Sequence, residues 1–85
     1  MGRIEKLEER IKTIPSDFTW KELTRLLEAY GFTQRKSGKT SGSRRTFVSK
    51  NKRKIFVHEP HPENIIAIGA VRDIVDSLTE MGFLR

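Results

Sequence analysis

The fold of this chain is decided by residues 43–58, whose sequence is SRRTFVSKNKRKIFVH. Two short runs that contain β-branched and aromatic residues flank a polar turn, a pattern typical of an antiparallel β-hairpin. In the second run, Ile55 and Val57 alternate with Phe56 and His58. Because successive side chains of a strand point to opposite faces, this run predicts a strand with one apolar face.

The flanking segments predict three helices and one further strand. Thr19 and Glu22 have the spacing of a capping box, and Gly31 suits the position after a helix end. The predicted elements, in chain order, are a helix over 3–13, a helix over 20–30, strands over 32–36, 44–49 and 54–58, and a helix from about residue 70 to 81.

This order, α-α-β-β-β-α, predicts the α+β class. Strands joined by short turns form a three-stranded antiparallel sheet, and we expect the helices to cover one face of it in a two-layer domain. The other face stays open. A chain of 85 residues builds one modest core, so residues 1–85 form a single domain. We expect Trp20 inside or at the edge of that core, beneath the sheet.

The charge is concentrated in one part of the chain. The formal net charge is +6, and no acidic residue lies between Glu28 and Glu59, where nine of the 17 lysines and arginines fall. A one-sided basic surface favours a polyanion, most often nucleic acid. The alternatives are an acidic protein partner and a merely solvated surface. The predicted nucleic-acid contacts are Lys36, Lys39, Ser41, Ser43, Arg44, Arg45 and Lys54.

The composition gives no support for a disulfide-stabilised, thiolate metal-binding or membrane-spanning protein. The chain has no cysteine, which excludes disulfides and thiolate metal sites and fits a reducing, cytoplasmic compartment. No apolar run approaches the roughly 18 residues of a membrane span. We therefore expect no membrane, metal or small-molecule cofactor.

Several short motifs recur, in order and spacing, in a known family. They are Tyr30-Gly31-Phe32, Gly42-Ser43, Phe47, His61-Pro62 and Gly69-Ala70-Val71-Arg72-Asp73-Ile74. Over residues 19–84 the chain resembles HicA-type toxins, and the first helix lies outside the resemblance. The resemblance implies a small fold like that of double-stranded-RNA-binding domains. It also implies a ribonuclease that cleaves messenger RNA to block translation and is masked by a HicB-type antitoxin.

The family's catalytic histidine lies in a Gly-Ser-His-x-x-Phe pattern. When this pattern is placed on Gly42, Ser43 and Phe47, the histidine falls at Arg44. Cleavage of RNA without metal needs a base for the 2′-hydroxyl and an acid for the leaving oxygen, and imidazole suits both roles. Arginine offers donors only, so Arg44 is suited to binding phosphate or stabilising its charge.

The only histidines, His58 and His61, are therefore the candidate acid–base groups. His61 is favoured because it stands between Pro60 and Pro62, on a turn whose backbone is rigid. The alternative is that His58 ends a strand at the surface and His61 only orders the turn. A metal site is disfavoured, since no recognised ligand spacing is present.

Three functions remain open at this stage. The first is a HicA-like ribonuclease toxin neutralised by an antitoxin. The second is an RNA-binding module of the same fold that has lost catalysis, as Arg44 suggests. The third is a basic domain that binds an acidic protein.

Overall fold

The architecture is the predicted α+β arrangement, in the order α-α-β-β-β-α. It is given by a computed structural model, which describes residues 3–36, 44–60 and 63–84. The helices are α1 (Arg3–Lys12), α2 (Trp20–Ala29) and α3 (Ile68–Glu80), and the strands are β1 (Thr33–Lys36), β2 (Arg44–Val48) and β3 (Lys54–His58). The predicted boundaries agree within two residues. The α3 helix begins at Ile68 rather than near residue 70, so Gly69 lies in its first turn.

The three strands form one antiparallel sheet in the order β1-β2-β3. The turn between β2 and β3 is closed by the Ser49 N–H, which donates to the Arg53 carbonyl oxygen at 2.8 Å. Lys52 provides the left-handed residue of this turn, with φ of 65°. The hairpin predicted from residues 43–58 is confirmed. Four predicted site residues, Lys39, Ser41, Ser43 and His61, lie outside the described residues.

The core lies between the helices and one face of the sheet. Strand β3 alternates as predicted, with Ile55 and Val57 buried and its other three residues exposed. Phe47 of β2 is fully buried on the same face, since it pairs with Ile55. The side chains that meet them from the helices and connecting segments include Leu7, Ile11, Phe18, Leu23, Leu26, Leu27, Ile66, Val71, Ile74 and Leu78.

Helix α2 begins and ends as the sequence predicts. The Thr19 hydroxyl accepts from the Glu22 N–H at 3.1 Å, and the Thr19 N–H donates to Glu22 Oε1 at 2.9 Å. After the helix, Gly31 has φ of 94°, a conformation that glycine adopts at little cost. Trp20 is half-buried, and its ring centroid lies 5.7 Å from that of Phe47, so it sits at the edge of the core as expected.

Helix α1 packs against α2 and α3 and buries Leu7 and Ile11. The guanidinium of Arg10 joins α1 to the start of α2. Arg10 Nε donates to Glu22 Oε2 at 3.0 Å and Arg10 Nη2 donates to Glu22 Oε1 at 3.1 Å. Arg10 Nη1 also donates to Asp17 Oδ1 at 3.1 Å. Hydrogen bonds from Arg10 lower the pKa of Glu22 below its usual value.

Replacing Arg10 with methionine is expected to lower the free energy of unfolding by about 1 kcal/mol at pH 7, because a partly exposed but bidentate pair is lost. Since the pKa of Glu22 is lowered in the fold, its contribution is present above the ordinary glutamate pKa. That contribution disappears as the pH falls through the lowered value. Urea titrations of Arg10→Met should therefore approach the unmodified protein in acid. The exposed Arg25→Met is the control, and an undiminished difference at pH 2 would contradict the assignment.

Candidate nucleic-acid interface

The pairing of β2 with β3 places residue 44 directly opposite His58. Directly opposite residues of an antiparallel pair have Cβ atoms about 4.5–5.5 Å apart. His58 is exposed at the end of β3. The structure thus brings two of the predicted site residues, Arg44 and His58, to neighbouring backbone positions, even though 13 residues separate them along the chain.

The face of the sheet that points away from the helices is called the open face here. The residues that belong to it follow from the strand register, because directly opposite residues share a face. Phe56 lies in it with 61% of its surface exposed, and it pairs with Thr46, which pairs in turn with Arg35. The described members of the open face are Thr33, Arg35, Thr46, Val48, Lys54, Phe56 and His58.

The open face combines cations with an aromatic ring. Arg35 is exposed at the β1 end of the row that contains Phe56, and Lys54 is exposed two residues before Phe56 on β3. The tip of the hairpin adds exposed Lys50, Lys52 and Arg53. Proteins that bind single-stranded nucleic acid use cations to follow the phosphates and aromatic rings to stack on bases. The arrangement is therefore chemically suited to single-stranded RNA.

Arg45 lies on the other face of the sheet, since it is paired in register with the buried Val57. Its Nη2 forms an ion pair with Glu59 Oε1 at 3.1 Å, and both side chains are more than two-thirds buried. This pair joins the start of β2 to the residue that follows β3. It therefore holds Glu59 in place directly after β3. The interpretation of Arg45 as an RNA contact stays a prediction.

Two residues of this region escaped the sequence analysis. Arg35 belongs to the open face, and the alternation of positions 33 and 35 with their neighbours in the short first strand could have indicated this. Glu59 could not have been found as the partner of Arg45, because no local pattern joins residues 14 apart. For Phe56 the sequence favours an ordinary packed strand residue over an exposed stacking surface, whereas the structure has it 61% exposed.

Neither a metal cluster nor a membrane span is found in the described part of the chain. No three histidine, cysteine or carboxylate side chains of residues 3–36, 44–60 and 63–84 are grouped as metal ligands would be. Within the same ranges, the helices are too short or too polar to cross a bilayer.

Comparison with known proteins identifies one relationship. The family model described as the HicA toxin of bacterial toxin–antitoxin systems matches residues 20–83, which include α2, the whole sheet and α3. Helix α1 lies before the matched region. No curated protein and no solved structure matches the chain significantly.

Proposed function

Because this chain belongs to the HicA toxin family of bacterial toxin–antitoxin systems, we propose that it is a ribonuclease that cleaves messenger RNA in the cytoplasm and is neutralised by a HicB-type antitoxin. Membership in the family implies that the chain has an antitoxin partner. The observation that carries the catalytic part of the proposal is the register of β2 and β3. It supplies an imidazole, His58, next to the position where the family's histidine is replaced by Arg44.

The proposed reaction is an internal transfer at phosphorus. The 2′-oxygen attacks phosphorus and loses its proton to a base, while the bond to the 5′-oxygen breaks and that oxygen gains a proton from an acid. The products are a 2′,3′-cyclic phosphate and a 5′-hydroxyl. We assign the two proton transfers to His58 and His61, the only imidazoles of the chain. Arg44 remains charged and stabilises the negative phosphate.

The second candidate is an RNA-binding module without catalysis. Arg44 favours it, because arginine cannot readily take a proton. Both candidates use the open face, so they differ only in whether bound RNA is cut. The third function open to the sequence, a basic domain that meets an acidic protein, predicts neither cleavage nor RNA affinity.

Cleavage in the presence of a chelator separates these candidates. Purified protein is incubated with labelled single-stranded RNA in EDTA, and the fragment ends are identified. We expect fragments that end in a 2′,3′-cyclic phosphate. Uncut RNA that remains bound to the protein would favour the binding module, and RNA that is neither cut nor bound would favour the protein-binding domain.

RNA binding is expected to depend on the open face rather than on net charge. Replacing both Arg35 and Lys54 with alanine should weaken binding and reduce the slope of log K against log salt by about 1.4, since each lost phosphate contact on a single strand contributes about 0.7. Fluorescence anisotropy at several salt concentrations measures this slope. The control replaces Lys21 and Arg25, both exposed on α2, with alanine.

The control pair removes the same two charges from a helix on the opposite side of the sheet. Equal slopes for the two double variants would mean that the protein attracts RNA through its overall charge. The open face would then not be the binding surface.

A further inference from the structure

A groove of about 640 Å³ runs between β3 and one stripe of α3. All five consecutive residues of β3 line it. Because successive strand residues point to opposite faces, a groove lined by all of them follows the edge of the strand rather than one face of the sheet. The opposite wall contains Ala70, Asp73, Ile74 and Ser77, which share one side of the helix.

The edge of β3 beside this groove is a template for a further strand. In the part of the chain that the structure describes, β3 pairs with β2 alone. An edge strand presents backbone N–H and C=O groups on its outer side, and proteins recognise extended peptides by pairing them with such edges. Five residues of strand are about 17 Å long, which gives a partner segment room for several backbone hydrogen bonds.

The lining of the groove fits a protein better than RNA. It is mainly apolar and includes Phe56 and Ile65, which are 61% and 37% exposed. Lys54 and His58 lie at the two ends of the strand, on the same face of it. The chain as a whole carries a formal net charge of +6. These features complement an extended segment in which apolar and acidic side chains alternate.

The hollow that β1 helps to line lacks these features. It has about 190 Å³ and is lined by Gly31, Thr33, Arg35, Val48, Ser49 and Lys50. Thr33, Arg35 and Val48 belong to the open face, so this hollow lies on that face rather than along the edge of β1. It is smaller and more basic than the groove beside β3. A partner strand of apolar and acidic residues is therefore expected at β3 and not at β1.

We propose that the partner antitoxin inserts an extended segment of alternating apolar and acidic residues into this groove, where it pairs with the edge of β3 and covers His58. The inhibitory consequence rests on the proposed function, because it assumes that His58 takes part in cleavage. The docking itself depends only on the groove and the edge strand.

The probe for this proposal is the synthetic peptide acetyl-Glu-Val-Glu-Val-Glu-Val-Glu-amide, titrated into the full chain and followed by amide NMR shifts. We expect saturable binding with Kd below about 1 mM, with shifts concentrated in residues 54–58 and 70–77. The control peptide has proline in place of the central valine. Since proline removes a backbone donor and resists pairing within a sheet, it should bind at least about tenfold more weakly.

Two variants of equal charge test the location. Ala67 lines the groove and is exposed, whereas the exposed Thr79 of α3 does not line it. Ala67→Glu should weaken peptide binding by about fivefold, because a carboxylate is added where acidic side chains dock, and Thr79→Glu should leave binding within about twofold.

Several results would overturn the proposal. They are no binding at 2 mM peptide, equal affinity for the proline peptide, shifts centred on β1, and equal effects of the two variants. Shifts of the same groove residues by a decauridylate RNA would assign the groove to nucleic acid instead. RNA cleavage measured with the same preparations distinguishes a failure of the docking proposal from a failure of the proposed ribonuclease function. Peptide binding without any cleavage refutes the ribonuclease but leaves the docking site, and cleavage without peptide binding does the reverse.

Discussion

Replacing His58 with alanine is expected to slow RNA cleavage by about 10²- to 10⁴-fold, the usual contribution of a positioned acid or base. The reason is geometric. His58 is exposed on the open face and lies opposite residue 44, where the family pattern has its histidine. The rate is measured on labelled single-stranded RNA with EDTA present. Circular dichroism and a urea titration check that the fold is unchanged, which is expected of a surface position.

A rescue variant makes this prediction specific. In the double variant Arg44→His with His58→Ala, the imidazole returns to the family's position, one strand away from the position it left. Cleavage should then recover by at least about tenfold over His58→Ala, because either position can serve the same phosphate. A merely structural role for His58 would not be rescued by a histidine at position 44. Full activity in His58→Ala would refute the assignment.

The second proton-transfer group is tested in the same assay. His61→Ala is expected to lower the rate, and the pH–rate profile of the remaining activity should lose one of its two limbs. Should His61→Ala alone abolish cleavage while His58→Ala is fully active, the turn residue would be the acid–base group that the sequence favours.

Phe47→Ala is expected to lower the free energy of unfolding by about 3–5 kcal/mol, a large share of the 5–15 kcal/mol available to a small domain. Phe47 is fully buried where β2 meets the helices, and its ring contacts that of Trp20. Removing it leaves a cavity at the centre of the only core found in the described residues. Thermal and urea unfolding provide the measurement.

Phe56→Ala is the matched control. It removes the same side chain from the neighbouring strand, but Phe56 is 61% exposed on the open face. Its loss should cost less than about 1 kcal/mol, since little apolar surface leaves water there on folding. RNA binding should instead weaken, because a stacking surface is lost. If both variants unfolded at the same urea concentration, the division of the sheet into a core face and an open face would be wrong.

Much of the fold follows from local patterns in the sequence. The Thr19–Glu22 box, Gly31 after α2 and the alternation in β3 each depend on residues a few positions apart, and all three are confirmed. Interactions of this kind form between residues that are close in the sequence, so they can be predicted without knowledge of the tertiary structure.

The candidate site could be predicted less well from the sequence, because it depends on the register between two strands. A shift of one residue between β2 and β3 would move His58 away from residue 44, and the sequence does not determine that pairing. The ion pair of Arg45 with Glu59 also depends on the pairing of β2 with β3, which the sequence does not determine. The contacts of Arg10 with Glu22 depend on how α1 packs, which the amphipathic pattern of α1 leaves open. The roles of Lys39, Ser41, Ser43 and His61 stay predictions.

The hairpin that carries residue 44 and His58 also has a consequence for synthesis of the chain on the ribosome. Its two strands are joined by a short turn, so their pairing closes a small loop and can form within microseconds of emergence. A two-stranded hairpin is nevertheless only marginally stable in water, and α3, which follows the hairpin in the chain, helps to cover its apolar face here. We therefore expect the hairpin of a nascent chain to stay ordered only after α3 has been made.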